Sequence, residues 1–125
     1  MTSQVFIITA SIFGALAIVF GAFGAHFLQK KLTENQLKSF ETGVKYQMYH
    51  TIVLLVLGTN HLYTTTALYI CFTFGIILFS FSIYGLVLSD SKEKKIKILG
   101  PITPIGGLFL LAGWIIILIN TINYL

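Results

Sequence analysis

Five polar residues stand out in an otherwise apolar chain: His26, His50, Ser82, Tyr84 and Thr103. Two imidazoles on neighbouring helices can ligate haem or a metal ion or pass a proton between them, and hydroxyls beside them can fix their orientation. The same residues have a plainer use. Buried polar side chains need partners, and a His26–His50–Tyr84–Ser82 layer with Thr103 at the same depth would pin helices together, each bond contributing about 0.6–2 kcal/mol. No carboxylate or thiol stands nearby in sequence to complete a zinc site. The four acids, Glu34, Glu41, Asp90 and Glu93, all fall in lysine-bearing segments, so no chain of acids continues a proton path. Nucleophile motifs, phosphate-cradling glycine loops and paired carboxylates are absent from the apolar segments. An enzyme built on this chain would have to act on lipid.

The composition says what kind of element must hold these residues. The 125 residues are 56% hydrophobic and only 10% charged, with a mean hydropathy of +0.89. A soluble domain carries about 25% charged residues. The deficit points to one small all-α bundle in a membrane. Apolar segments at residues 5–28, 46–62, 67–88 and 103–123 predict four spans. The first has no basic residue before it and outruns the roughly 7–15 residues of a signal-peptide core, so it is expected to be retained. The second is short in strictly apolar residues and needs Tyr46, Tyr49, Asn60, His61 and Tyr63 at the two interfaces. Residues 33–45 read as a short amphipathic helix on the cytoplasmic surface, bending or running on into the second span. Thr33 and Gln36 have capping-box spacing there, and Glu34–Lys38 and Glu41–Lys45 are i,i+4 pairs. Thr103 is expected to cap the fourth helix, with Pro104 in its first position.

Charge placement sets the expected topology. Lys30, Lys31, Lys38 and Lys45 lie in one connection and Lys92, Lys94, Lys95 and Lys97 in another; the chain has no arginine. With four spans every lysine falls on one side, as the positive-inside rule asks. Both termini then lie outside a multi-pass protein of the bacterial cytoplasmic membrane. Lysines clustered between apolar runs read as orientation signals, not as a nucleic-acid surface. The single cysteine, Cys71, cannot form an intramolecular disulfide.

Small residues suggest how the helices meet. Ala10, Gly14, Ala17, Gly21 and Gly24 recur at spacings of four and three, drawing one stripe on which a neighbouring backbone can lie close. Gly106 and Gly107 are expected to pack on the first helix near Gly21–Gly24. Alternatively, with Lys94, Lys95 and Lys97, they form a lipid or anion site at a helix N-terminus. Trp114, beside Gly113, is expected to lie across a groove with its indole N–H on an interior acceptor.

FGAFGAH (20–26), YQMYH (46–50) and LGPITPIGG (99–107) with GW (113–114), together with FSIY (81–84), resemble a known family over essentially the whole chain. It is the small membrane family called domain of unknown function 423, which includes the transmembrane protein 256 type. The resemblance implies a four-helix membrane protein and brings no established reaction with it. The role expected from all this is structural or regulatory, through membrane lipid, anionic lipid in particular, or through a membrane-protein partner or a second copy. A small cofactor- or solute-handling protein using His26 and His50 is the alternative.

Overall fold

The computed structural model describes all 125 residues, and every regular element in it is helical. Helix α1 runs Ser3–Leu28, its last five residues (Gly24–Leu28) wound as a π turn. Helix α2 is Glu34–Gly58, α3 is Thr66–Ser91 with a π turn at Ile77–Phe81, and α4 is Leu99–Asn123. Helices α1, α3 and α4 are long and apolar enough to cross a membrane.

The surface helix expected at residues 33–45 is not an element of its own. The capping box forms: Thr33 Oγ1 accepts from the Gln36 N–H and the Gln36 side chain accepts from the Thr33 N–H. From there α2 runs unbroken for 25 residues, about 37 Å. No proline interrupts it, and Gly43, its one weak position, is buried against the Tyr84 ring. The helix stops at Gly58, and a short 3-10 turn, His61–Tyr63, leads into α3. One of the two expected ion pairs forms, Lys38–Glu34 at 3.1 Å.

Helix α4 begins at Leu99, so Thr103 is not its cap and Pro104 lies inside it. Pro101 occupies the first turn, where an N–H has no helical partner in any case. Pro104 therefore removes a single early hydrogen bond, the one its N–H would have given to the Gly100 carbonyl.

Successive helices are antiparallel, and small residues mark the seams. The stripe on α1 faces α2: Gly14 lies on Thr51, Gly21 on Val44 and Gly24 on Phe40, and Ala10 and Ala17 of the same stripe are buried. At the other end Gly58 of α2 lies on Phe6. Gly106 and Gly107 do not meet α1. Gly106 sits directly on the α3 backbone at Leu78–Phe79, where any Cβ would collide, and Gly107 faces the Phe79 ring. Gly113 lies on the Phe72 ring. Helices α2 and α3 form the centre, with α1 on one flank and α4 on the other.

Two apolar clusters result. One joins all four helices through Phe6, Phe13, Leu54, Phe72, Ile76 and Leu110. The other, nearer the lysines, joins Leu28, Phe40, Tyr84 and Val87 and contains no residue of α4. Outward faces of α1 and α4 carry Ile12, Ile18, Val19, Leu108, Leu111 and Leu118, all exposed. All eight lysines lie in the half of the bundle where α1 and α3 end and α2 and α4 begin.

Candidate functional site

Gln47 is the centre of the buried polar chemistry. It is 0% exposed, and an amide in that position must use both ends. Its Nε2 donates to the Phe13 carbonyl of α1 at 2.8 Å, and its Oε1 accepts from the Tyr84 hydroxyl of α3 at 2.7 Å. One side chain thus ties three helices. Near it the Ser80 hydroxyl donates to the Gly43 carbonyl at 2.7 Å, a second α2–α3 link. Ser82 and Thr103 share a 2.6 Å hydroxyl pair between α3 and α4, and Ser82 also donates to the Phe79 carbonyl within the π turn.

His50 is buried one turn beyond Gln47. Its Nδ1 lies 2.8 Å from the Tyr46 carbonyl, which can only accept, so that nitrogen carries the proton. Its Nε2 accepts from the Trp114 indole N–H at 3.1 Å. Phe72 stacks on the imidazole and the Trp114 ring meets it edge-on. Trp114 itself remains 49% exposed on the outer surface of α4. The interior acceptor for its indole is therefore His50, and both ring nitrogens of His50 are engaged by the protein.

His26 takes no part in this layer. It sits exposed on the terminal π turn of α1, whose inward face is already filled by Gly24 against Phe40. Since Gly24 lies at the level of Phe40 and Gly14 at that of Thr51, about eleven residues of helix, roughly 16 Å, separate the two histidines in height. The His26–His50 pair expected for haem or metal is not formed, and no three His, Cys, Asp or Glu side chains come together. Gln47 was missed: it entered only as part of the YQMYH stretch and was given no role of its own. The available signal was a lone amide among aromatic and apolar residues, which inside a bilayer must be paired.

A second polar feature opens at the lysine end. An open cleft of about 850 Å³ lies between the first turns of α2 and the start of α4, with α3 as its floor. Asn35, Ser39 and Thr42 line the α2 wall, Gly100, Thr103 and Pro104 the α4 wall, and Ile83, Leu86, Val87 and Asp90 the floor. Lys95 and Lys97 reach it from the α3–α4 connection; Lys94 does not. That connection turns back on itself at Glu93, which adopts a left-handed conformation (φ 57°). The Lys94 N–H then bonds the Ser89 carbonyl and the Glu93 N–H that of Asp90, each at 3.0 Å, the pattern of a Schellman cap. Across the cleft the Gln36 amide donates to the Asp90 carboxylate at 2.8 Å. Gly106 and Gly107 lie outside the cleft, so the anion site expected from their backbone is not formed; Gly106 is buried on α3.

The profile described as "Protein of unknown function (DUF423)" matches residues 20–107. A UPF0382 membrane protein of Staphylococcus aureus is 41% identical, covering 97% of this chain and 98% of its own. The UPF0382 membrane protein YwdK of Bacillus subtilis is 40% identical over 98% of this chain and 99% of its own. One of Staphylococcus epidermidis is 39% identical over similar shares, 97% and 98%. No solved structure matches the chain.

Proposed function

The chain belongs to the DUF423 family of membrane proteins, and on that footing we propose that it is a four-span protein of the bacterial cytoplasmic membrane, both termini outside, acting through lipid at its lysine-bearing face. One observation carries this reading. Of the buried polar side chains, Gln47, His50, Ser80, Ser82 and Tyr84 bond to other parts of the chain, as does half-buried Thr103, and only the Thr51 and Thr73 hydroxyls lack a partner, whereas every lysine is gathered at one end. The interior is thereby a fastening, and the open chemistry faces the leaflet surface.

That α2 crosses is supported by its place beside α1. It lies against α1 from Phe40 on Gly24 to Gly58 on Phe6, so if α1 spans the bilayer α2 traverses it too. Its polar first turns then stand at headgroup depth, where Lys45 can extend its stem toward water. Anionic lipid suits that face, because each lysine near an anionic leaflet contributes about 1 kcal/mol.

Cysteine accessibility tests the topology. In a background lacking Cys71, Lys31→Cys and Lys94→Cys should react only with reagents that reach the cytoplasm, and Thr65→Cys and Asn123→Cys only from outside. Labelling of Lys31→Cys and Lys94→Cys from opposite sides would overturn the four-span arrangement.

A further inference from the structure

We propose that the cleft between α2 and α4 is a binding site for the headgroup of an anionic glycerophospholipid, specifically a phosphodiester with free hydroxyls and one negative charge. The inference deepens the reading of a lipid-contacting face by giving that face a defined site. Three chemistries converge on the cleft. Lys95 and Lys97 bring two ammonium groups with no carboxylate in ion-pair contact, which suits a phosphate. Asn35, Ser39 and Thr42 follow one another at spacings of four and three, so they share a face of α2 and offer amide and hydroxyl partners to a polyol. Ile83, Leu86 and Val87 leave an apolar floor on which the first segment of an acyl chain can lie. The volume, about 850 Å³, is in the range of small-molecule sites.

Asp90 sharpens the specificity. Its carboxylate lies in the same cleft, held by the Gln36 amide. A fixed negative charge there repels a doubly charged phosphate monoester while still accepting a hydrogen bond from a hydroxyl. The apolar floor favours a lipid over a free phosphodiester, because a soluble headgroup leaves it uncovered.

The test uses the full chain in bilayer nanodiscs, with native mass spectrometry to count retained lipids. Wild type should retain phosphatidylglycerol over both phosphatidylethanolamine and phosphatidic acid, and a Lys95→Gln, Lys97→Gln variant should lose roughly tenfold of that preference. Ser39→Leu, which fills the cleft without changing charge, should lose it too. Lys30→Gln, Lys31→Gln, with the same charge loss outside the cleft, should keep it. All variants alter exposed residues, and unchanged unfolding temperatures in detergent would establish that they fold. If the Lys30/Lys31 variant loses as much as the Lys95/Lys97 variant, lipid contact stands but the cleft is not its site. Equal retention of all lipids by wild type would overturn the site and the lipid-based reading together, leaving topology to the cysteine experiment. Equal retention of phosphatidic acid alone would overturn the role given to Asp90. Full competition by soluble glycerophosphoglycerol would overturn the lipid as the ligand.

Discussion

The two ends of the bundle are built differently. Away from the lysines all four helices share one apolar cluster, with Leu110 of α4 packed among Phe6, Leu54 and Phe72. Toward the lysines the cluster around Phe40 and Tyr84 belongs to α1, α2 and α3 alone. There α4 stands away from α2, and the cleft fills the gap. One end is closed by packing and the other is held open, so the polar surface that a ligand can reach exists only where the fourth helix parts from the second. The Ser82–Thr103 hydroxyl pair and Gly106 on the α3 backbone keep that parting from spreading.

The α3–α4 seam offers the strongest way to break this contrast. Gly106→Val places a side chain where the Leu78–Phe79 backbone already lies, and should cost about 3 kcal/mol or more, read as unfolding in detergent. Gly100→Ala, with nothing within 4 Å of the new methyl group, should be neutral or slightly stabilising. Equal losses at the two glycines would mean that α4 is held elsewhere. In the shared interior, Gln47→Leu should cost about 2 kcal/mol by stranding the Tyr84 hydroxyl, and Tyr84→Phe about 1 kcal/mol. The double substitution should cost less than the sum, because the two side chains share one bond. Simple additivity there would remove Gln47 from the centre of the network.

The histidines should behave in the opposite way. His50→Leu should cost about 1 kcal/mol by leaving the Trp114 indole without its acceptor, while His26→Leu should cost almost nothing. Their combination should be additive within about 0.5 kcal/mol, since they share no partner. The last effect belongs to the lysine end. Glu93→Gly should stabilise the protein by up to about 1 kcal/mol by relieving a left-handed residue in its Schellman cap. A loss of stability would mean that the Glu93 side chain holds the connection in place.

How far these features could be read from the chain depends on whether they repeat. The stripe from Ala10 to Gly24 recurs every three or four residues, so its role as a packing face was legible, although its partner was not. Long apolar helices and grouped lysines were legible for the same reason. Single events were not. Nothing in GAHFL announces that α1 ends in a π turn with His26 facing outward. Thr103-Pro104 carries a sound capping signal, yet Pro101 had already opened the helix, and Thr103 serves as a side-chain partner of Ser82 instead. The cleft was beyond reach because its walls come from residues 35–42 and 100–104, brought together only by the antiparallel path of α2, α3 and α4.

The π turn at Ile77–Phe81 has a consequence for the phase of α3. Among the buried residues of this helix, Leu68, Phe72, Ile76, Ser80 and Tyr84 form one series spaced by four. On a uniform α-helix each step of four overshoots a full turn by about 40°, so Tyr84 would end about 160° away from Leu68. A π turn takes up one extra residue and returns about 100° of that drift. It acts as a vernier, setting the two halves of α3 on one seam. A helix of the same length wound as uniform α could keep Phe72 or Tyr84 in its present place, but not both, whereas deleting one residue within 77–81 removes the extra residue and lets a regular α-helix keep both.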